Sequence, residues 1–186
     1  SIPDGVGLII NTPAGQLVHS GDFKLDARPI DGRSTDLPRL KKLQKVDLLL
    51  CDSTNADQPG KTLPESAVGK TFERLFAKAP GRIIIASFSS NIYRIQHAIN
   101  AAVKTGRRVA LLGRSMVENF QIAKDNNAID CPPQALFDIR QIKSIPENKV
   151  VIITTGSQGE KMSALTHMAK RIYHDLPLKS TDTVII

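Results

Sequence analysis

Short, continuous apolar segments alternate with longer amphipathic segments from about residue 61 onward, and this alternation constrains the fold more than any other feature. A strand that is buried on both faces is apolar throughout, and strands that alternate with helices form a parallel sheet covered on both sides. The sequence therefore predicts an α/β fold for this part of the chain. The predicted strands span 82–86, 108–112 and 150–154 with a last one from Thr183, and the predicted helices span 64–78, 90–104, 114–126 and 158–173.

Fewer secondary-structure elements are predicted for the first part of the chain. Two apolar segments separated by a turn-rich sequence indicate a hairpin, and a later apolar segment that ends in Cys51 indicates a buried strand. We expect Cys51 to be a small core residue of that strand. The predicted hairpin strands span 6–10 and 16–19, a short basic helix spans 39–45, and the third strand spans 46–51.

Composition and charge divide the chain near residues 58–60, and we predict two domains, 1–60 and 61–186. The first has seven Lys/Arg and eight Asp/Glu, a net charge of −1, whereas the second has 18 and 10, a net charge of +8. An acidic part joined to a basic part is what a cation site beside a polyanion-binding surface requires. A basic surface that only improves solubility is the alternative.

Two aspartates, Asp22 and Asp52, each follow the end of a predicted strand. Gly21 allows the backbone to turn sharply before Asp22, and open sheets present their functional groups at the carboxyl ends of strands. Both aspartates are therefore candidate functional carboxylates. Capping of a turn is the alternative interpretation for each of them.

Small hydroxyl-bearing and glycine residues follow three strands of the second part. The ends of parallel strands lie on one edge of a sheet, where the N–H groups at helix N-termini favour anions. We therefore predict phosphate binding at this edge, with N-capping by serine as the alternative for any single segment. The candidate residues are Ser89, Ser90, Asn91, Arg114, Gly156, Ser157 and Gly159.

Several other classes of protein have little support in the sequence. No apolar segment is long enough to span a membrane, and two cysteines are too few for a disulfide framework, so we expect a cytoplasmic protein. Residues 55–62 lack the first glycine of a Walker A loop, and no dinucleotide-binding glycine motif follows a strand. We expect structural roles for His97, His167 and His174. His19 is not counted as a metal ligand, because strand alternation directs its side chain away from that of Asp22.

Four motifs occur in a characteristic order: HSGDFKLD at 19–26, DSTNA at 52–56, SFSSN at 87–91 and GSQGE at 156–160. Together they resemble the signatures of the ribonuclease J family, in the β-CASP branch of the metallo-β-lactamase superfamily. The resemblance extends across essentially the whole chain, and four motifs in order are far more specific than one. It implies that the first domain is part of a metallo-β-lactamase layer and that the second is a β-CASP domain with a mostly parallel sheet flanked by helices.

The resemblance also implies an activity, namely metal-dependent hydrolysis of RNA by 5′-to-3′ exonuclease and endonuclease action. Asp22 matches the aspartate that bridges two divalent metal ions in the family. Asp52 matches the family's acidic motif, and we expect it to orient a catalytic histidine outside this chain. Histidine ligands favour zinc, with manganese and magnesium as the alternatives.

The family's histidine ligands are expected outside residues 1–186, so we expect this chain to be a piece of a longer protein and to be inactive alone. RNA is the expected partner, and the complete protein is expected to form homo-oligomers or hetero-oligomers with a paralogue. Two other functions remain open at this point. One is a non-catalytic, RNA-binding partner subunit, and the other is a metallo-β-lactamase-fold hydrolase of small molecules.

Overall fold

The computed structural model describes residues 5–26, 29–30, 32–54 and 56–186. The chain divides into two compact units, one ending at Ser66 and the other spanning Ala67–Ile186. The division falls within the first turn of a helix, a few residues after the boundary predicted near 58–60. In the described ranges, no helix is long and apolar enough to cross a membrane.

The first unit contains a three-stranded sheet. Strands β1 (Leu8–Thr12) and β2 (Gly15–His19) form the predicted antiparallel hairpin, and β3 (Leu48–Leu50) pairs in parallel with β2. Glycine is required at the start of β2, because Gly15 has a φ of 146° and a Cβ there would lie 2.5 Å from Asp47 Oδ2. The hairpin and a parallel third strand therefore direct the ends of β2 and β3 to the same edge.

Two details of the first unit differ from the sequence-based expectation. Helix α1 (Leu37–Lys41) begins earlier than predicted, because the Asp36 side chain accepts a hydrogen bond from the Arg39 N–H at 3.0 Å and caps the helix there. The prediction that Cys51 is a core residue was wrong. Cys51 is exposed, and its thiol donates a hydrogen bond to the Asp52 carbonyl oxygen at 3.3 Å.

The second unit has the predicted parallel sheet, with helices as connections. Its strands are β4 (Ile83–Ala86), β5 (Arg108–Leu112), β6 (Val150–Thr154) and β7 (Thr183–Ile185), and its helices are α2 (Glu65–Lys78, which begins in the first unit), α3 (Ile92–Lys104), α4 (Arg114–Asp125) and α5 (Ala164–Ala169). The strand order is β5-β6-β4-β7, and every pair is parallel.

Alternate residues of the central strands enter two separate cores. Ile83 and Ile85 of β4 pack in a cluster that includes Ile95 of α3, whereas Ile84 packs in a second cluster with Met168 of α5. Helices or loops therefore cover both faces of the sheet, which explains why these strands are apolar at every position.

Three short 3₁₀ segments connect α4 to β6, at Pro133–Ala135, Ile139–Ser144 and Glu147–Lys149. The Phe137 N–H, between the first two, donates a hydrogen bond to the Val109 carbonyl oxygen at 3.0 Å. This irregular stretch therefore pairs with the outer edge of β5 and protects it from pairing with another chain.

The helix predicted over 158–173 was wrong in length. Helix α5 begins only after Ser163, whose hydroxyl accepts a hydrogen bond from the Thr166 N–H, and Arg171 with a φ of 57° follows its end. Met162 and Ile172, which the sequence places on the core stripe of that helix, are exposed. The residues from Gly156 to Met162 instead form a turn between β6 and α5.

Candidate functional site

Asp22 lies on an exposed loop immediately after β2. The preceding Gly21 has a φ of 62°, and a Cβ there would approach the Val6 carbonyl oxygen to 2.6 Å, so the turn requires glycine. Within the residues that the structure describes, the Asp22 carboxylate makes no hydrogen bond or ion pair. Turn capping therefore does not account for this aspartate.

The Asp52 carboxylate, in contrast, is hydrogen bonded to the backbone. Its Oδ1 accepts the Thr54 N–H at 2.9 Å. The backbone and hydroxyl of Thr54 lower the pKa of Asp52, and the Phe23 N–H contributes in the same direction. Asp52 thus caps a turn, as the alternative interpretation proposed.

Ser20 makes a second connection between the two aspartate loops. Its N–H donates to the Leu50 carbonyl oxygen at 2.9 Å, and its Oγ accepts the Asp52 N–H at 2.8 Å. Because β2 and β3 are parallel neighbours, both loops leave the same edge of the sheet. The structure therefore brings the loops of the two predicted aspartates together.

Asp22 fits one ligand position of a divalent metal ion, because an exposed carboxylate without other partners has both oxygens available. The described residues contain no group of three or more His, Cys, Asp or Glu side chains that could hold a metal ion. His19 Nδ1 accepts a hydrogen bond from the Gly21 N–H at 3.0 Å, so this nitrogen already has a partner within the loop. The described part of the chain thus offers one carboxylate ligand rather than a whole metal site.

The three polar segments of the second unit follow adjacent strands, β5, β6 and β4. The Ser87 N–H donates to the Thr154 carbonyl oxygen at 3.0 Å, which joins the ends of β4 and β6. A Cβ on Gly113 would lie 3.3 Å from Thr155 Oγ1, which places the end of β5 against that of β6. We call this edge, formed by residues 87–91, 113–115 and 155–159, the strand-end rim, and its existence confirms the predicted common edge.

Ser89, Ser90 and Asn91 have different environments on the strand-end rim. Asn91 is the N-cap of α3, since its side chain accepts the Arg94 N–H at 3.1 Å. Ser90 is exposed, and its hydroxyl has no hydrogen bond in the described part of the chain. Ser89 Oγ accepts a hydrogen bond from Asn119 Nδ2 at 2.8 Å. N-capping therefore applies to Asn91, and it leaves the Ser90 hydroxyl without a structural role.

Helix α4 begins at the strand-end rim without a side-chain cap. Its N-cap is Gly113, with a φ of 104° and no capping hydrogen bond, and the exposed Arg114 is its first residue. The first N–H groups of a helix have no partner within the helix. These N–H groups and the Arg114 guanidinium are consequently the rim's strongest features for attracting an anion.

The Gly156–Gly159 turn does not lie at a helix N-terminus, so that part of the prediction was wrong. Gly156 has a φ of 117°, and a Cβ there would lie 2.5 Å from Ser163 Oγ. Gly159 has a φ of 72°, and its N–H donates to the Gly156 carbonyl oxygen at 3.2 Å. Ser157 Oγ is buried and makes no hydrogen bond among the described residues. The Ser157 hydroxyl is therefore not used by the turn itself.

Sequence reasoning missed Asn119 and Ser20 as supports of the candidate residues. Asn119 lies on α4, 30 positions from the serine whose hydroxyl it contacts, and no motif includes it. Ser20 lies inside the HSGDFKLD motif, but its function became evident only from the hydrogen bond to Asp52. A signal for Ser20 was present in the sequence, whereas Asn119 required the fold.

Comparison with known proteins supports a relationship over the whole chain. The family model described as ribonuclease J, beta-CASP domain, matches residues 80–186. Ribonuclease J from Corynebacterium glutamicum and from Mycolicibacterium smegmatis are each 46% identical to this chain over its full length. Ribonuclease J from Helicobacter pylori strain J99 is 44% identical, also over the full length.

These alignments cover 26%, 34% and 27% of the three relatives, so the chain spans about a quarter to a third of their length. The family match includes the entire strand-end rim and the parallel sheet that positions it. The full-length alignments also include both aspartate loops. On these grounds the chain belongs to the ribonuclease J family, and its second unit is a β-CASP domain of that family.

Proposed function

We propose that a protein of the relatives' full length that contains this chain, called the full-length enzyme below, is a metal-dependent ribonuclease of the cytoplasm. It would hydrolyse phosphodiester bonds of RNA both from the 5′ end and internally. The observation that carries this proposal is the unpaired Asp22 carboxylate, held on a loop that is hydrogen bonded to Asp52, in a chain of the ribonuclease J family.

Asp22 would contribute one carboxylate to a site for two divalent cations. When bound, such a pair supplies an activated water molecule and neutralises the charge that develops on the phosphate. Both oxygens of Asp22 would be available to hold metal ions, because no basic side chain among the described residues pairs with them. Zinc suits a site completed by histidines, with manganese and magnesium as the alternatives.

Asp52 would act on orientation rather than on metal binding. Its carboxylate accepts a hydrogen bond from the Thr54 N–H, which lowers its pKa, and its own N–H donates to Ser20 Oγ in the Asp22 loop. A fixed carboxylate can accept a hydrogen bond from a histidine and set the orientation of that ring. We assign this role to Asp52 in the full-length enzyme.

The strand-end rim would hold the terminal phosphate of an RNA. Support comes from the uncapped N-terminus of α4, the unused Ser90 hydroxyl and the buried Ser157 hydroxyl. The net charge of +8 over residues 61–186 would favour approach of a polyanion. Asn91 would contribute only its side-chain NH₂ group, since its side-chain oxygen Oδ1 caps α3.

Hydrolysis of defined RNA oligonucleotides by the full-length enzyme, with and without a chelator, tests the proposal. Asp22→Asn should reduce turnover by more than about 100-fold, the upper end of what loss of a supporting group alone costs, because the amide carries no charge to hold two cations. Asp57→Asn is the matched control, since Asp57 is another exposed carboxylate in the same unit. Turnover of small esters without RNA cleavage would indicate a small-molecule hydrolase, and RNA binding without cleavage would indicate a partner subunit.

End preference tests the strand-end rim separately. A hydrogen bond from serine to a charged oxygen contributes roughly 1.5–3 kcal/mol, so Ser90→Ala should reduce the preference for 5′-monophosphate over 5′-hydroxyl RNA by about tenfold to a hundredfold. Internal cleavage should change little. Ser144→Ala, at an exposed serine in a 3₁₀ segment, is the control. An unchanged preference in Ser90→Ala would remove Ser90 from the phosphate site.

We also propose that the full-length enzyme forms a homo-oligomer or a hetero-oligomer with a paralogue. Light scattering of the purified protein would show whether it is a monomer or an oligomer.

A further inference from the structure

Glu65 is buried, although it is a carboxylate at the start of a helix. The whole residue is 3% exposed, and its side chain is 4% exposed. Burial of a charged group carries a large desolvation cost unless the group is paired and hydrogen bonded. The contacts of Glu65 should therefore show why a charged side chain is buried at this position.

Two partners of Glu65 come from the loop that carries Asp22. Lys24 Nζ lies 3.1 Å from Glu65 Oε2, and their side chains are 19% and 4% exposed. The Glu65 N–H donates to Asp26 Oδ2 at 2.7 Å. Two residues of one loop, Lys24 and Asp26, therefore attach to the same residue, about 40 positions away along the chain.

The same loop is attached to Asp52 on its other side. Ser20 Oγ accepts the Asp52 N–H, and the Ser20 N–H donates to the carbonyl oxygen of Leu50, two residues before Asp52. Asp22 lies between these attachments and makes no hydrogen bond of its own in the described chain. Its position is consequently set by its neighbours, with Asp52 on one side and Glu65 on the other.

Stabilisation of the helix alone does not explain this arrangement. Asp26 already satisfies the first N–H of α2 and complements the helix dipole. The Glu65 side chain instead faces Lys24, two residues after Asp22. A buried pair of this kind favours one arrangement of the loop against the helix, because separating Lys24 from Glu65 would take a hydrogen-bonded contact away from a buried charge.

We propose that Glu65 is a positioning residue of the proposed metal site, which acts through Lys24 and Asp26 to hold the Asp22 loop. This inference rests on the proposed function, since it concerns the role of Asp22. It adds a residue that lies outside the four motifs and belongs to the helix that continues into the second unit.

The test compares Glu65→Gln with Glu73→Gln in the full-length enzyme. Both glutamates are on α2 and both pair with a lysine, but Glu73 pairs with Lys104 at 2.7 Å on the exposed surface. Glu65→Gln should weaken binding of Zn²⁺ or Mn²⁺, measured by direct titration, by about tenfold, the lower end of the effect of groups that support metal ligands. Hydrogen exchange at residues 21–26 should also become faster. Glu73→Gln should change neither.

A second pair of variants separates positioning from a general loss of folding. Lys24→Met should reproduce the metal-binding defect, and Lys24→Met with Glu65→Gln should be no worse than either single variant, because both remove the same interaction. Removing both charges also avoids an unpaired buried charge, so the double variant should regain thermal stability. Lys24→Arg should keep metal affinity close to that of the parent protein.

Kinetics provide the last distinction. At limiting metal, Glu65→Gln should lower kcat while the KM for RNA is unchanged, and excess metal should restore kcat. Equal metal affinity and equal hydrogen exchange in Glu65→Gln and Glu73→Gln would overturn the inference, as would a lowered Tm with normal metal affinity. Absence of RNA hydrolysis in the parent protein would instead contradict the proposed function, while the binding and exchange measurements would still decide the role of Glu65.

Discussion

Strands β3 and β4 have nearly the same apolar composition, but they lie in very different surroundings. The three leucines of β3 are all exposed, with Leu49 at 58%, whereas the isoleucines of β4 are buried, with Ile84 at 0%. In β4, residues on both faces contact helices or loops of the same unit. A continuous apolar strand therefore shows that both faces need to be covered, but it does not show which part of a protein covers them.

The polar ends of the strands differ between the two units as well. The first unit places carboxylates, Asp22 and Asp52, after β2 and β3. The second unit places hydroxyls, glycines and Arg114 after β4, β5 and β6. Carboxylates suit cations, and free N–H groups with an arginine suit anions. The residue types at the strand ends thus differ between the units in the same sense as the net charges of −1 over residues 1–60 and +8 over residues 61–186, and binding of ions by either unit stays a prediction.

The difference between β3 and β4 leads to the largest expected effect. Ile84→Ala should destabilise this chain by about 2–5 kcal/mol in urea unfolding, because it leaves a cavity in a closed core. Leu49→Ala should cost less than about 1 kcal/mol in the same chain, because an exposed side chain loses little burial.

Leu49→Ala should have a larger effect on stability in the full-length enzyme than in this chain. In the full-length enzyme, Leu49→Ala should lower Tm by about as much as Ile84→Ala, since a strand apolar on both faces is expected to be covered there. Equal effects of the two substitutions in the 186-residue chain would contradict the distinction between an uncovered and a covered sheet.

The sequence allowed prediction of most of the fold, because most of the second unit follows local rules. The apolar segments and the amphipathic pattern of its sequence predicted the strands, and they predicted the bounds of α2, α3 and α4 within a few residues. The exception was α5, where two glycines with positive φ and the cap at Ser163 delay the helix. The exposure of Cys51 was not predictable, since periodicity indicates burial without identifying the covering element.

The candidate site was predictable only where residues follow strands in sequence. Asp22, Asp52 and the strand-end rim could be placed because parallel strands end at one edge. Asn119 and Glu65 contact their partners from 30 and about 40 positions away, and nothing in their local sequence distinguishes them. Long-range supports of this kind depend on how the helices pack, which one sequence does not specify.

Asp52→Asn should reduce the turnover of the full-length enzyme by about 10- to 100-fold while metal occupancy remains close to normal, because the proposed role is orientation. Metal analysis of the purified variant beside Asp22→Asn separates the two roles. If Asp52→Asn emptied the site and Asp22→Asn left it full, the roles would have to be exchanged.

The pH dependence of stability gives an independent check on Asp52. The Thr54 hydrogen bonds hold its folded-state pKa below the ordinary value of 3.8. Their contribution to stability is therefore present above that value and is lost as the pH falls through the lower folded-state pKa. When the free energy of unfolding of this chain is measured as the pH falls, Asp52→Asn should abolish the part of the decrease that this carboxylate causes. The same decrease in the variant and in the parent chain would show that the carboxylate is not held in this way.

The smallest expected effect concerns Asn119, which supports the strand-end rim from α4. Asn119 Nδ2 donates to Ser89 Oγ at 2.8 Å, so the serine oxygen is occupied as an acceptor and its O–H is free to point toward a bound phosphate. Loss of one neutral hydrogen bond costs about 0.5–1.5 kcal/mol, so Asn119→Ala should reduce the preference for 5′-monophosphate RNA by roughly two- to tenfold. Gln121→Ala is the control, since Gln121 lies on the same helix and bonds only to Asp125 at 2.6 Å on the surface. Competition between 5′-monophosphate and 5′-hydroxyl RNA on both variants measures the effect. A loss of preference equal in the two variants would mean that α4 affects the rim through its stability, whereas a loss confined to Asn119→Ala would show that the direction of a single hydroxyl contributes to recognition.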